Sequence, residues 1–109
     1  MAYSTELAHR IRELLAGKTG LTEKKMFGGI AFMLNGKIAC GVSGDDLMVR
    51  VGPESYEAAL ELSHVRVFDI TGRPMTGWVL VEPAATQNPA DLAAWVEKGA
   101  IFASTLPTK

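Results

Sequence analysis

Chemistry-bearing residues are scarce in this chain: it has one cysteine, Cys40, and two histidines, His9 and His64. A lone cysteine excludes an internal disulfide and any multi-cysteine zinc site. Neither histidine joins a cluster at metal-ligand spacing, so both read as surface histidines and no metal or other cofactor is expected. Charge of one sign is also lacking. Eleven Lys plus Arg stand against 12 Asp plus Glu, for a net −1, and no like-charge block exceeds Lys24-Lys25 or Asp45-Asp46. No whole-chain field therefore points to nucleic acid or an anionic membrane. No stretch approaches the ~18 consecutive apolar residues of a membrane span. Glu6, Arg10, Arg12 and Glu13 interrupt the N-terminus where a signal peptide needs an apolar core. The cytoplasm is the expected compartment.

What is present is ordinary globular material. Apolar residues make up 48% and charged residues 21% of 109 residues, which suits a single domain over residues 1–109 with its own core. There is no internal repeat or low-complexity tract.

Leu7, Ile11, Leu14 and Leu15 recur at helical spacing, with Arg10, Arg12 and Glu13 off the stripe. Ser4 or Thr5 can cap this helix, and Gly17 can end it. From Lys24 the period changes to two. Asn35-Gly36 between apolar runs is a strong hairpin signal, because a type I′ turn needs positive φ at both central residues. The two-residue loop sets Leu34 against Lys37, Met33 against Ile38, Ala31 against Cys40 and Gly29 against Val42. A four-residue loop at 43–46 then sets Val42 against Leu47, Cys40 against Val49 and Ile38 against Val51.

This register gives one face carrying Phe27, Ala31, Met33, Ile38, Cys40, Val42, Leu47, Val49 and Val51, expected to be the helix-covered core. The other face would carry Met26, Gly28, Ile30, Phe32, Leu34, Lys37, Ala39, Gly41, Met48 and Arg50, too apolar for a plain solvent face. Either it is an interface or later elements cover it.

Gly52-Pro53 opens a second, short helix with Glu54 in its first turn and an inner stripe of Tyr56, Ala59 and Leu60. Val65 to Asp69 and Gly77 to Glu82 read as strands joined through 71–74, and Pro83 stops the second. Asn88-Pro89 opens the last helix as cap plus first-position proline, with Leu92, Trp95, Val96, Gly99, Phe102 and Ala103 as its stripe. The expected architecture is α+β, one antiparallel sheet in α-β(3)-α-β(2)-α order with helices mainly on one side.

No catalytic constellation emerges. Cys40 falls on the expected core face and reads as a small hydrophobe. Gly28-Gly29 fits neither a dinucleotide nor a phosphate-loop pattern. Inside a strand each glycine costs about 0.5–1 kcal/mol relative to alanine, so a bulge or a closely approaching backbone or side chain is expected there, with Trp78 or Trp95 as aromatic candidates. Lys24, Lys25, Lys37, Arg50, Arg66 and Arg73 are diluted by acids and read as solvated. No serine sits in a nucleophile elbow.

Two stretches carry a resemblance. Lys25-Met26-Phe27-Gly28-Gly29-Ile30-Ala31-Phe32, followed by Asn35-Gly36 and Leu47-Met48-Val49-Arg50-Val51, resembles the opening of the TfoX/Sxy N-terminal domain family. Asp69-Ile70-Thr71-Gly72-Arg73-Pro74-Met75-Thr76-Gly77-Trp78-Val79 resembles the second signature of its short bacterial members, and Asp91 to Val96 fits the last helix. Ala31 departs from the glycine that many members carry. The resemblance implies the same α-β(3)-α-β(2)-α order, shared with secretion-chaperone-like domains, and brings no catalytic or cofactor residues. The family is named for competence regulators in which a separate helical domain follows this one. The second domain is not expected within these 109 residues, so what the resemblance implies is at most a link to competence or transcription regulation.

The expectation is therefore a non-enzymatic regulatory or protein-interaction domain acting as a homodimer with an otherwise unknown protein partner. Ile30, Phe32 and Met48 would form its apolar interface, with Lys37 and Arg50 as the polar rim. The alternatives are a nucleic-acid-associated regulator using Lys24, Lys25, Arg66 and Arg73, and a small-molecule binder beside Gly28-Gly29. Direct nucleic-acid binding is not favoured, and no membrane contact is expected.

Overall fold

Ser4 starts the first helix by accepting the Leu7 N–H on its hydroxyl at 3.1 Å. In the computed structural model, which describes residues 3–18, 20–26, 29–68 and 76–105, this helix, α1, spans Thr5–Leu15 and buries Leu7, Ala8, Ile11 and Leu15. The strands follow as β1 (Leu21–Met26), β2 (Gly29–Leu34), β3 (Lys37–Ser43) and β4 (Asp46–Arg50), then helix α2 (Pro53–Leu60). Strands β5 (Val65–Val67) and β6 (Trp78–Val81), a short 3-10 turn (Pro83–Ala85) and helix α3 (Pro89–Ser104) complete the chain. Asn88 caps α3, its side-chain oxygen accepting the Ala90 N–H at 2.8 Å. The fold is α+β with one open antiparallel sheet, in the order β1-β2-β3-β4-β6-β5. Among the described residues no helix is long and apolar enough to cross a membrane.

Four strands precede α2 where the sequence pattern predicts three. The stretch from Lys24 to Leu34, expected as one strand, belongs to two antiparallel strands, the first beginning at Leu21, with Met26 paired to Gly29. Gly29 therefore opens a strand instead of lying inside one. A Cβ at Gly29 would collide with the Val42 carbonyl, so the close neighbour there is the β3 backbone, not Trp78 or Trp95. Phe27 and Gly28 lie outside the described residues, as do Gly72, Arg73, Pro74 and Met75.

The Asn35-Gly36 turn forms as expected, with φ of 54° and 83°, and sets Leu34 opposite Lys37 and Met33 opposite Ile38. The register then slips. Phe32 pairs with Cys40 and Ile30 with Val42, so Ala39 is an extra residue, a β-bulge. Because side chains alternate with period two, one inserted residue exchanges the faces of everything beyond it on one strand. On β3 and β4 the expected pairs Val42 with Leu47 and Cys40 with Val49 are present. On β2 the faces are exchanged: Ile30, Phe32 and Leu34 point to the helices and join the main core with Ile11, Leu15, Val49 and Val96. Ala31 and Ile38 lie on the other side of the sheet.

Helix α3 touches down at this bulge. A Cβ at Gly99 would overlap the Ala39 carbonyl oxygen and lie 3.1 Å from its carbon. A glycine within a helix permits that close approach, and no other residue does without displacing the helix. Arg12 fastens α1 to the sheet edge with a two-point pair to Glu23, at 2.6 and 2.9 Å. Hydrogen bonding to Arg12 holds the Glu23 carboxyl below its ordinary range.

Candidate functional site

The residues expected to form an open apolar interface are not open. Ile30 and Phe32 are 5% and 0% exposed beneath the helices, which corrects the face assigned to them; the cause is the Ala39 bulge. Met48 does lie on the opposite face, as expected, but is buried in a second cluster with Ala31, Phe68 and Leu80, against which Ile38 and Trp78 pack. That face is apolar, and its middle is packed within the subunit. Lys37 and Arg50 are half-buried. The Arg50 guanidinium lies between two aromatic rings, 5.1 Å from the Trp78 centroid and 5.5 Å from that of Phe102. Such cation–π contacts are worth about 0.5–1 kcal/mol each at partly exposed sites. Arg50 thus ties β4 to β6 and to the end of α3.

Several polar groups capable of chemistry are engaged in structure. Cys40 is fully buried, and desolvation pushes its thiol up to about 12. A thiolate is the reactive form, so at pH 8 a thiol reagent is expected to modify native protein only as fast as the chain opens, and at once in denaturant. Reaction within seconds in the native state would contradict the placement of Cys40. Arg66 bridges two carboxylates, with Asp46 on one side and Glu82 at 2.8 Å on the other. His64 lies 3.4 Å from the same Glu82, and His9 pairs with Glu13 at 3.1 Å. Among the described residues no group of three or more His, Cys, Asp or Glu could hold a metal. Among the described residues, the cations considered for nucleic acid do not gather. Lys24 and Lys25 lie on β1 and Arg66 on β5, at opposite edges of the six-stranded sheet, roughly 24 Å apart at the usual strand spacing.

Among the described residues the exposed large hydrophobics lie on the helix side instead: Leu14, Leu62 and Ile101, at 41%, 54% and 55%. Helix α3 packs on the sheet through Leu92, Val96, Gly99, Ala100 and Ala103, which leaves Ala94, Glu97, Lys98 and Ile101 facing out. A groove of about 870 Å³ runs along this ridge, walled by Pro53, Ala94, Ile101 and Phe102. A neighbouring hollow of about 400 Å³ shares Ala94 and Lys98 and is closed by Leu62 and Trp95. On the other flank, Glu97 and Ile101 border a hollow of about 480 Å³ with Lys18 and Leu34. Leu62, Ala94, Ile101, Phe102 and Pro53 therefore form an apolar strip across two adjoining hollows that also carry Glu54, Glu97 and Lys98. Ile101 could have been singled out from the sequence, because it is the large apolar residue of the last helix that falls off the core stripe.

A family model described as the TfoX N-terminal domain matches residues 13–103. The chain belongs to the TfoX N-terminal domain family. Neither a curated protein nor a solved structure matches it.

Several TfoX-motif residues have structural work in this chain. The Gly77 carbonyl accepts the N–H groups of Val51 at 2.8 Å and Gly52 at 3.1 Å, fixing the turn that launches α2. Trp78 stacks on Arg50 and packs near Phe68, with ring centroids 6.1 Å apart. Gly29 admits the β3 backbone. The described part of the TfoX signature is thus explained by packing.

Proposed function

We propose that this TfoX-family domain is a non-enzymatic regulatory module that works by binding protein, and that it does so as a homodimer. The observation that carries the reading is the apolar strip along α3, centred on Ile101 at 55% exposure. Apolar surface of this kind marks a protein contact. The non-enzymatic part is supported by how the polar groups are used: Arg66, Asp46, Glu82 and His64 hold one another, and Cys40 is sealed and protonated. The regulatory part rests on membership of the TfoX family.

This moves the interface from the sheet to the helix layer. A contact made through one helix ridge buries less than the standard interface of about 800 Å² per partner, so weak, micromolar self-association is expected. Sedimentation equilibrium tests it. Wild-type protein should pass from monomer to dimer across the micromolar range, and Ile101→Glu should remain a monomer with an unchanged melting midpoint. A wild-type protein that stays monomeric to millimolar concentration overturns the reading.

A further inference from the structure

The outward side of α3 has a pattern that specifies how a second copy would sit on it. At 100° per residue, Ala90, Ala94, Ile101 and Thr105 point within about 30° of a common direction, and all four are exposed. Glu97 and Lys98 flank that line on opposite sides, each roughly 50° away on the same wheel. The ridge is therefore small at one end and branched near the other, with one acid on the α1 side and one base on the α2 side. Glu97 borders the hollow that contains Lys18, and its contact with Lys18, at 3.7 Å between half-exposed side chains, is loose enough to rearrange. Lys98 borders the hollow that contains Leu62.

Two symmetric pairings of α3 with a second α3 are possible, and the charges choose between them. A two-fold axis perpendicular to the helices turns each flank toward its own copy: crossing at Glu97 and Lys98 it opposes like charges, which disfavours it, and crossing at Ile101 it leaves both charges without an opposite partner. A two-fold axis parallel to the helices exchanges the flanks, so Glu97 meets the partner's Lys98 and Lys98 meets the partner's Glu97. It also sets Ile101 against the partner's Ile101 and leaves the small Ala94 positions room for close approach. The two parallel helix dipoles oppose this only weakly, because their effect is confined to the end turns and screened by salt.

We infer that a second copy of this chain docks on α3 in parallel, about a two-fold axis running along the helix, with reciprocal Glu97–Lys98 pairs on either side of an Ile101 contact. This rests on the reading of the α3 strip as a self-association surface and adds its geometry. The test is a charge-exchange series measured by sedimentation equilibrium at low salt: wild type, Glu97→Lys, Lys98→Glu and the double exchange. Each single reversal replaces two attractive contacts by two repulsive ones, and is expected to weaken the dimer by about tenfold. The double exchange restores both attractions and should return to within about threefold of wild type. Matching melting midpoints show that all four proteins are folded.

A wild-type dimer that neither reversal weakens, or that the double exchange fails to restore, overturns the parallel pairing and leaves the apolar strip as the contact. A wild-type protein that never dimerises removes both the pairing and the self-association reading.

Discussion

Gly99→Ala is expected to lower the melting midpoint by about 10 °C, the opposite of what helix propensity alone requires. In an exposed helix interior, alanine in place of glycine gains about 1 kcal/mol. At Gly99 the added methyl enters the space of the Ala39 carbonyl oxygen, a backbone atom that cannot rotate aside. Either α3 lifts from the sheet or β3 deforms at its bulge. Overpacking of this kind costs typically 1–3 kcal/mol and occasionally more. A contact with rigid backbone belongs at the upper end, so the net loss is about 2 kcal/mol, or roughly 10 °C for a domain of this size. Calorimetry on the two proteins decides it. A midpoint unchanged or raised would mean that α3 does not cross the sheet at Ala39.

Phe32→Glu has a larger effect still: the variant should not fold. Phe32 is fully buried in the main core, with the Arg12 guanidinium 5.8 Å from its ring centroid. Removing the ring alone, as in Phe32→Ala, costs about 3–5 kcal/mol. A carboxylate at the same place adds an effective desolvation penalty of several kcal/mol, and the two losses together are as large as the whole margin of a small domain, at the lower part of the usual range of about 5–15 kcal/mol. The pair of variants separates the two assignments of β2. With Phe32 under the helices, alanine gives a destabilised fold and glutamate none. With Phe32 on an open face, both fold with near-normal midpoints and only association changes.

These two residues also show how far the sequence could be read. Both ends of α1 and the start of α3 were legible because a capping side chain, a proline or a glycine marks each by local chemistry. The Asn35-Gly36 turn and the Val42–Leu47 pairing were legible for the same reason, since positive φ and short loops leave little choice of register. The Ala39 bulge was not. It lies in Ile38-Ala39-Cys40-Gly41-Val42, where every residue is apolar or small, so alternation carries no sign to show that a position has been added. Both sides of β2 are apolar too, which removed the check that a polar face would have supplied. One residue of slip was enough to turn a buried trio, Ile30, Phe32 and Leu34, into an expected docking surface. The split between β1 and β2 was hidden likewise, because the strand period is similar on both sides of the join.

The proposed interaction surface was partly visible. Once Leu92, Val96, Gly99 and Ala103 are taken as the inward stripe of α3, Ile101 is left outside it, an unneeded branched hydrophobe between Glu97 and Thr105. Its meaning depends on neighbours distant in the chain. Pro53 and Leu62 extend the strip, and only the tertiary fold brings them to α3. Arg50 illustrates the reverse case. It was expected at the rim of an interface, and the fold instead spends its charge on Trp78 and Phe102.

The most direct test of protein binding through α3 is a dilution series followed by backbone amide NMR. The account requires concentration-dependent shifts at Ala94, Glu97, Lys98, Ile101 and Thr105 and at the groove wall near Pro53, with residues 22–25 on the β1 edge unmoved. Shifts confined to the β1 edge, or spectra identical from micromolar to millimolar concentration, would contradict it.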